Sequence, residues 1–382
     1  MNRRQWLRLM GSGALVAATL PLLGCTSNMP PEAIAAWQPP AADLELRRWV
    51  LSHAILAPHS HNLQSWLVNL EMPDTILLRM DQSRLLPETD PFGRQMVMSQ
   101  GTFIEVLAIA AQQRGYHAEV TPFPDGEFDP RRVDERPTAR IRLIADASLQ
   151  PDPLFAQIFQ RRTNRSPYAA TLPTPESLAA IADSMRGLPI RCGFITAADA
   201  QIERHRQIAN EAWRIELSTP RTLLESYKVL RVGPREIAEH RDGLSLNEPF
   251  VRALTALGLF DRSKASSPDS AEIKGQIDKF AAKIAATPAF FWMISEANDR
   301  VTQLQAGRAY VRAQLAATAQ GLAMQPLQQA LQEYPEVYKS YNQIHQLLGA
   351  NTPGQTVQMW ARLGYAPAIE PAPRRGLAAH LV

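Results

Sequence analysis

Two short stretches of this 382-residue chain gather side chains fit for binding chemistry. The first runs Ala57-Pro58-His59-Ser60-His61-Asn62-Leu63-Gln64-Ser65-Trp66. Its Asn62 and Gln64 amides donate and accept at once, which suits the edge of a heterocycle. Pro58, His59 and Ser60 make a stiff entry to that stretch. The second runs Gln160-Arg161-Arg162-Thr163-Asn164-Arg165-Ser166-Pro167-Tyr168. Arg161, Arg162, Thr163 and Arg165 form a ready phosphate site, because guanidinium groups grip phosphate oxygens two at a time. Taken singly, an Arg-Arg pair ends many solvated helices, and an Asn or Gln often satisfies only its own turn. Trp66 reads as core whatever its neighbours do. His59 and His61 have the spacing of a metal pair but no third ligand nearby, so no metal site is expected.

Elements must hold these stretches. Apolar spacing from Asp43 to Ala57 predicts a helix stopped by Pro58. Strands are expected over Leu63–Leu70 and Ile76–Met80, then a long helix over Arg94–Arg114 closed by Gly115. Strands near His117–Thr121 and Ala139–Ile144 complete a first half, residues 44–150. The second half, 151–382, opens with helices over Pro153–Gln160 and Thr174–Met185 and a strand over Ile190–Ile195. A helix at Ala197–Leu217, a buried strand at Ala289–Ile294 and a second long helix at Val301–Gln320 follow. The stretch 219–287 is helical but polar, matches nothing in the first half, and reads as a lid-like insertion. Both long helices carry an Ala-rich face between two glycines, Gly101 and Gly115 in one and Gly307 and Gly321 in the other, at the same interval. With the shared order of elements, this points to an internal duplication.

Bulk properties narrow the function. Forty basic against 37 acidic residues give a net charge of +3, and no long basic run exists, so nucleic acid is not an expected partner. The first 25 residues resemble an export signal: Arg3-Arg4, an apolar run from Gly11 to Leu23 too short to span a bilayer, and Leu22-Leu23-Gly24-Cys25. That pattern resembles a twin-arginine signal ending in a bacterial lipobox, with Cys25 the lipidated residue. The expected location is the periplasmic side of the envelope, with membrane contact through the lipid anchor only. Residues 26–43, with Pro30, Pro31, Pro39 and Pro40, read as a tether. Cys192 is then the only other cysteine and reads as a structural thiol. The chain has no Gly-x-Ser-x-Gly, Walker loop, Gly-x-Gly-x-x-Gly or Cys-x-x-Cys, which excludes the hydrolase, kinase, Rossmann and zinc-finger readings.

The Arg161–Arg165 stretch resembles the Arg-Arg-Ser-x-Arg motif of the nitroreductases. Pro58–Trp66 resembles their Pro-Ser-x-x-Asn-x-Gln-Pro-Trp motif, with His59 in place of Ser and Ser65 in place of Pro. Gly321–Pro326 is similar to the segment beside the reactive flavin nitrogen. Met359–Pro367 with Arg374 and Arg375 is similar to the closing Gly-Tyr-Pro and basic pair. The order of motifs fits the double-length, Acg-type branch. This resemblance implies an α+β fold of two nitroreductase-like units, each a mixed sheet flanked by helices, forming a pseudo-dimer within one chain that works as a monomer. It also implies bound FMN held by Pro58, His59, Ser60, Asn62, Gln64, Arg161, Arg162, Thr163, Arg165, Met324, Gln325, Pro326, Arg374 and Arg375. The activity implied is flavin-based reduction of a small electron acceptor, nitroaromatic or quinone-like, by an unnamed donor and with no catalytic side chain required. One FMN per chain follows, since each half supplies only one of the two motifs. An FMN-storing protein with a lidded site, and a cofactor-free solute-binding lipoprotein, are the other readings.

Overall fold

The computed structural model describes residues 29–258 and 260–382. The twin arginines, the apolar run and Cys25 lie outside the described residues. No helix among the described residues is long and apolar enough to cross a membrane.

The segment read as a tether is in part folded. It forms α1 (Pro31–Ile34), running into a 3-10 turn at Ala35–Trp37, and buries Ala33 and Trp37. A tryptophan left in a free tether would expose a large apolar surface, and burial removes that cost.

The first unit then follows: α2 (Leu46–Ala54), β1 (Trp66–Asn69), β2 (Thr75–Met80), α3 (Arg94–Gln113), β3 (Tyr116–Pro122) and β4 (Pro137–Ala145). Glu45 caps α2 by accepting from the Arg47 and Arg48 amides. Asp90 does the same for α3 from outside the helix, accepting from Gln95 N and Met96 N. Gly115 ends α3 at φ 73°, the left-handed turn that glycine adopts without penalty.

The second unit begins with α4 (Pro175–Asp183) and β5 (Arg191–Thr196), preceded by a 3-10 turn at Pro153–Gln157 where the sequence suggests a longer helix. Next come α5 (Ile202–Ser218), α6 (Pro220–Lys228), β6 (Leu230–Val232), α7 (Gly233–His240), β7 (Leu244–Leu246), α8 (Pro249–Ala256) and α9 (Ala271–Ala285). The unit closes with β8 (Ala289–Ser295), α10 (Arg300–Ala319), β9 (Ala323–Pro326), α11 (Tyr338–Leu347) and β10 (Thr356–Gly364).

The two sheets have orders β1-β2-β4-β3 and β5-β8-β10-β9. These are one topology: two antiparallel strands, a long helix, an edge strand, and a central strand inserted last. The first unit joins β1 to β2 by a tight turn, whereas the second joins β5 to β8 through α5–α9. The excursion therefore includes α5 as well as residues 219–287. Pairings inside both four-stranded sheets are antiparallel. The sheets are mixed only at their margins, through isolated parallel bridges Val68–Leu381 and Thr163–Met324. The insertion has its own small parallel pair, β6–β7, which hydrophobic periodicity did not reveal.

The long helices α3 and α10 cross at the two glycines singled out by their spacing. A Cβ on Gly101 would lie 2.0 Å from Leu304 O, and one on Gly307 would lie 1.9 Å from Met98 O. The contact is reciprocal, as a pseudo-twofold axis requires. One continuous apolar core unites the units, with Met98, Phe103 and Leu107 of α3 and Leu304, Val311 and Leu315 of α10 in the same cluster.

Candidate functional site

The stretch Pro58–Trp66 leaves α2 and enters β1 along a strained path. His61, Asn62 and Gln64 all have positive φ, at 48°, 57° and 55°. Three such non-glycine residues so close together persist only where the surroundings fix them. The fixing contacts are visible. His59 sits between Ser60 O (2.8 Å from Nδ1) and the Ser65 amide (3.1 Å from Nε2), so Nδ1 carries the proton and Nε2 accepts. Burial, with Arg374 and Arg375 close by, pushes its pKa down to about 3, and the ring is neutral. Ser60 N donates to Ser99 Oγ at 3.1 Å, and Pro58 O accepts from Thr102 Oγ1 at 2.6 Å, tying the stretch to α3.

The amides of this stretch face protein. Gln64 is fully buried; its Nε2 donates to Arg241 O at 2.9 Å and its Oε1 accepts from Arg375 N at 2.9 Å. Asn62 Nδ2 donates to Pro373 O at 3.0 Å, and Asn62 O accepts from Gly243 N at 3.1 Å. Gln64, expected at a ring edge, here has protein partners. Its hydrogen-bonding groups meet residues 373–375 and the 241–243 loop of the insertion, and it holds Arg375. Asp242 locks the same loop down by pairing with Arg84 and, at 2.9 Å, with Arg231.

The second stretch comes against the first. Arg161, buried, donates to Leu56 O at 3.0 Å and to Gln314 Oε1 at 3.2 Å on α10. Arg374, also buried, donates to Ala57 O at 2.9 Å. Arg162 turns back onto Phe159 O and Arg161 O at 2.9 and 2.8 Å. Thr163 bridges Met324 of β9, and its hydroxyl faces Gln314 Nε2 at 3.4 Å. The Met324 side chain is core, so only its backbone borders the stretch. Gln325 is gripped by Arg362 (2.6 and 3.0 Å), which also donates to Ser166 O at 3.1 Å. Pro326 pairs with Ala361 inside the sheet.

Arg165 stands apart. Solvent reaches its side chain, yet enough protein surrounds it that desolvation lowers its pKa. No hydrogen bond or ion pair holds it among the described residues, and His61, Tyr168, Tyr310, Lys283 and Arg362 are the groups within electrostatic reach. His61 is pushed down to about 4 by burial and by Arg165. Burial also pushes up the Tyr310 hydroxyl, which is buried and has no hydrogen-bond partner among the described residues.

The structure thus unites motifs a hundred residues apart in the chain. Cations dominate: Arg161, Arg162, Arg165 and Arg374 form no ion pair with any carboxylate among the described residues. Buried Arg162 Nε and Arg374 Nε also lack partners. Such groups call for an anion. Sequence reading missed Trp37, Lys283, Tyr310, Gln314 and Arg362. A tryptophan inside a proline-rich stretch was one signal. Tyr310 and Gln314, polar at i and i+4 on an otherwise alanine-rich face, were another. A separate cavity of about 570 Å³ lies at the start of α3, lined by Asp90, Gly93, Met96 and Arg131, and contains none of these residues. Burial raises Asp90 there to about 6, but both its oxygens cap α3. Burial likewise raises the half-buried Cys192 thiol to about 11, away from nucleophile chemistry.

A two-unit α+β chain with a cluster of arginines where its units meet is the class of protein that fold and site define. The chain is 27% identical over 362 residues to "Putative NAD(P)H nitroreductase Rv3131" of Mycobacterium tuberculosis, covering 88% of this chain and 90% of that one. It is 27% identical over 335 residues to "Putative NAD(P)H nitroreductase acg" of the same organism, covering 84% and 89%. The solved FMN-dependent nitroreductase NfnB of Mycobacterium smegmatis is 15% identical and aligns over 58% of this chain and 94% of its own, with a TM-score of 0.36. No family model matches the chain.

Proposed function

We propose that this protein is an FMN-dependent oxidoreductase of the nitroreductase type, reducing a small nitroaromatic or quinone-like acceptor in the cell envelope. The observation that carries the reading is the cluster of Arg161, Arg162, Arg165 and Arg374, which has no ion-paired carboxylate among the described residues, in a chain similar along its length to proteins named as nitroreductases. The residues fit the cofactor: the orphaned Nε atoms of Arg162 and Arg374 suit a phosphate. Bound FMN supplies the hydride or electron transfer. The chain's own residues bind and orient. Arg161, Arg162 and Arg374 neutralise the phosphate, and Thr163 adds a hydroxyl beside it. Arg165 and His61 lie within electrostatic reach of each other beside it, and Ser60 and Pro58 belong to the first half's contribution. Gln64 and Asn62 keep the tail and insertion in place. No side chain is needed to move a proton.

A visible absorption spectrum of the native protein, with flavin released and counted against protein, tests this. One FMN per chain is expected. A colourless protein that takes up no FMN refutes the cofactor, and two per chain refute the single shared site.

The loop 241–243 supports a second reading. It docks on the His61–Gln64 turn, as a lid over a flavin store would. Turnover of a quinone by chemically reduced protein separates the two, since a store shows none. Envelope location and lipidation at Cys25 rest on Arg3-Arg4 and Leu22-Leu23-Gly24-Cys25. NAD(P)H, which the relatives carry in their names, is the first donor to assay.

A further inference from the structure

Trp37 lies over three guanidinium groups at once. Its ring centroid is 4.6 Å from Arg162 Cζ, 5.6 Å from Arg374 Cζ and 5.7 Å from Arg161 Cζ. The indole is held in register from both sides: Trp37 Nε1 donates to Ala372 O at 2.8 Å, and Arg374 N donates to Ala33 O at 2.8 Å. Trp37, Arg161 and Arg374 are all at least nine-tenths buried. Like charges packed together in the interior repel and lose hydration. A carboxylate would ordinarily relieve that, and none forms an ion pair with these three among the described residues. An aromatic face attracts each cation through its quadrupole without cancelling its charge. No carboxylate among the described residues cancels the charge of the cluster, and burial beside Arg161 and Arg162 pulls the Arg374 pKa down until an anion arrives.

We infer that Trp37, from the segment ahead of the first unit, is a positioning residue of the phosphate end of the site. It clamps Arg161, Arg162 and Arg374 as a charged triad so that a phosphate-bearing flavin is selected over its unphosphorylated form. The inference deepens the proposed function and rests on it for the flavin. A carboxylate in the same place would hold the arginines equally well but would compete with the ligand's phosphate. The indole holds them and leaves their charge to the ligand.

The test compares FMN with riboflavin, which differ only in the phosphate, on the full chain and its variants. Trp37→Ala should weaken FMN binding by roughly tenfold, the order expected for one desolvated cation–π contact, and leave riboflavin affinity unchanged. Trp37→Phe, which keeps an aromatic face, should recover most of the FMN affinity. Inorganic phosphate should raise the melting temperature of the wild type and not of Trp37→Ala. Equal weakening of FMN and riboflavin would reduce Trp37 to general structural support and overturn the inference, as would an unchanged FMN preference in Trp37→Ala. Wild-type protein that binds neither flavin would refute the proposed function. The phosphate arm would then decide the triad alone: stabilisation of the wild type only upholds it, and stabilisation of neither or of both overturns it.

Discussion

The α3–α10 crossing yields a prediction with a magnitude. In Gly307→Ala the new methyl would lie 1.9 Å from Met98 O, 2.7 Å from Met98 C and 2.9 Å from Met98 Cα. All three are backbone atoms of a helix and cannot rotate away, so the helix axes must separate by about an ångström locally. Overpacking of this kind costs roughly 1–3 kcal/mol where side chains can adjust, and more against backbone. Alanine recovers about 1 kcal/mol in helix propensity over glycine. A net loss of about 2–3 kcal/mol is expected. Gly101→Ala should cost about the same, because its methyl meets Leu304 O at 2.0 Å. The two glycines relieve one and the same contact, so the double variant should lose clearly less than the sum of the singles. Urea unfolding followed by circular dichroism measures all four proteins. Losses below about 0.5 kcal/mol in both singles, or strict additivity in the double, would refute the reasoning that one close crossing holds the units together. Flavin affinity should fall alongside stability, since Arg161 bonds to Gln314 on α10 while Ser60 bonds to Ser99 on α3.

Three further outcomes are expected. Arg165→Ala removes a charge-assisted contact worth about 1.5–3 kcal/mol, so FMN affinity should drop about ten- to a hundredfold. The melting temperature of flavin-free protein should not fall, because Arg165 bonds to nothing there; unchanged flavin occupancy in a titration would refute its role. Glu216, buried beside Glu225 and bonded to Gln332 at 2.8 Å, has its pKa raised by burial from 4.5 to about 7. An acid with a raised folded pKa contributes stability that is complete below pH 4.5 and lost as pH rises to about 7. Glu216→Gln should flatten that decline and exceed wild-type stability at pH 8 by a few kcal/mol at most, of order 1.4 per pKa unit; a parallel pair of stability–pH curves would contradict it. Cys25→Ala should leave protein unprocessed or soluble on fractionation, and membrane partition at the mature mass would contradict lipidation.

How much of this was legible depended on whether the signal was local. The glycine pairs of the long helices were read from spacing alone, because a close helix crossing and a left-handed cap both demand glycine at fixed places. Strands such as Thr75–Met80 and Ala289–Ser295 were visible as apolar runs between turn residues. The two candidate stretches were picked out by residue type, and the structure sets them side by side. Partners inside them were not legible, because Gln64 bonds to Arg241 and Arg375, which lie far along the chain. Strand β10 was missed because Thr356–Gly364 is buried at every position and so shows no alternation. The folding of residues 30–37 was missed because proline-rich composition hid the one residue, Trp37, that anchors it.

The C-terminal segment has a consequence for the order of events in the life of the chain. Residues 373–382 leave the second unit and lie along the first: Arg375 bonds to Gln64, Val382 N donates to Val68 O at 3.0 Å, and Leu381 bridges Val68 on the free edge of β1. A ribosome makes these residues after every segment they touch. The first unit therefore emerges with an uncovered sheet margin, a surface on which other chains can pair. It stays uncovered through synthesis of the whole second unit. Arg374 and Arg375 arrive in the same stretch, so the arginine cluster is incomplete until that margin is covered. Gathering of the arginine cluster and covering of that sheet margin are then a single event, later than the folding of the first unit.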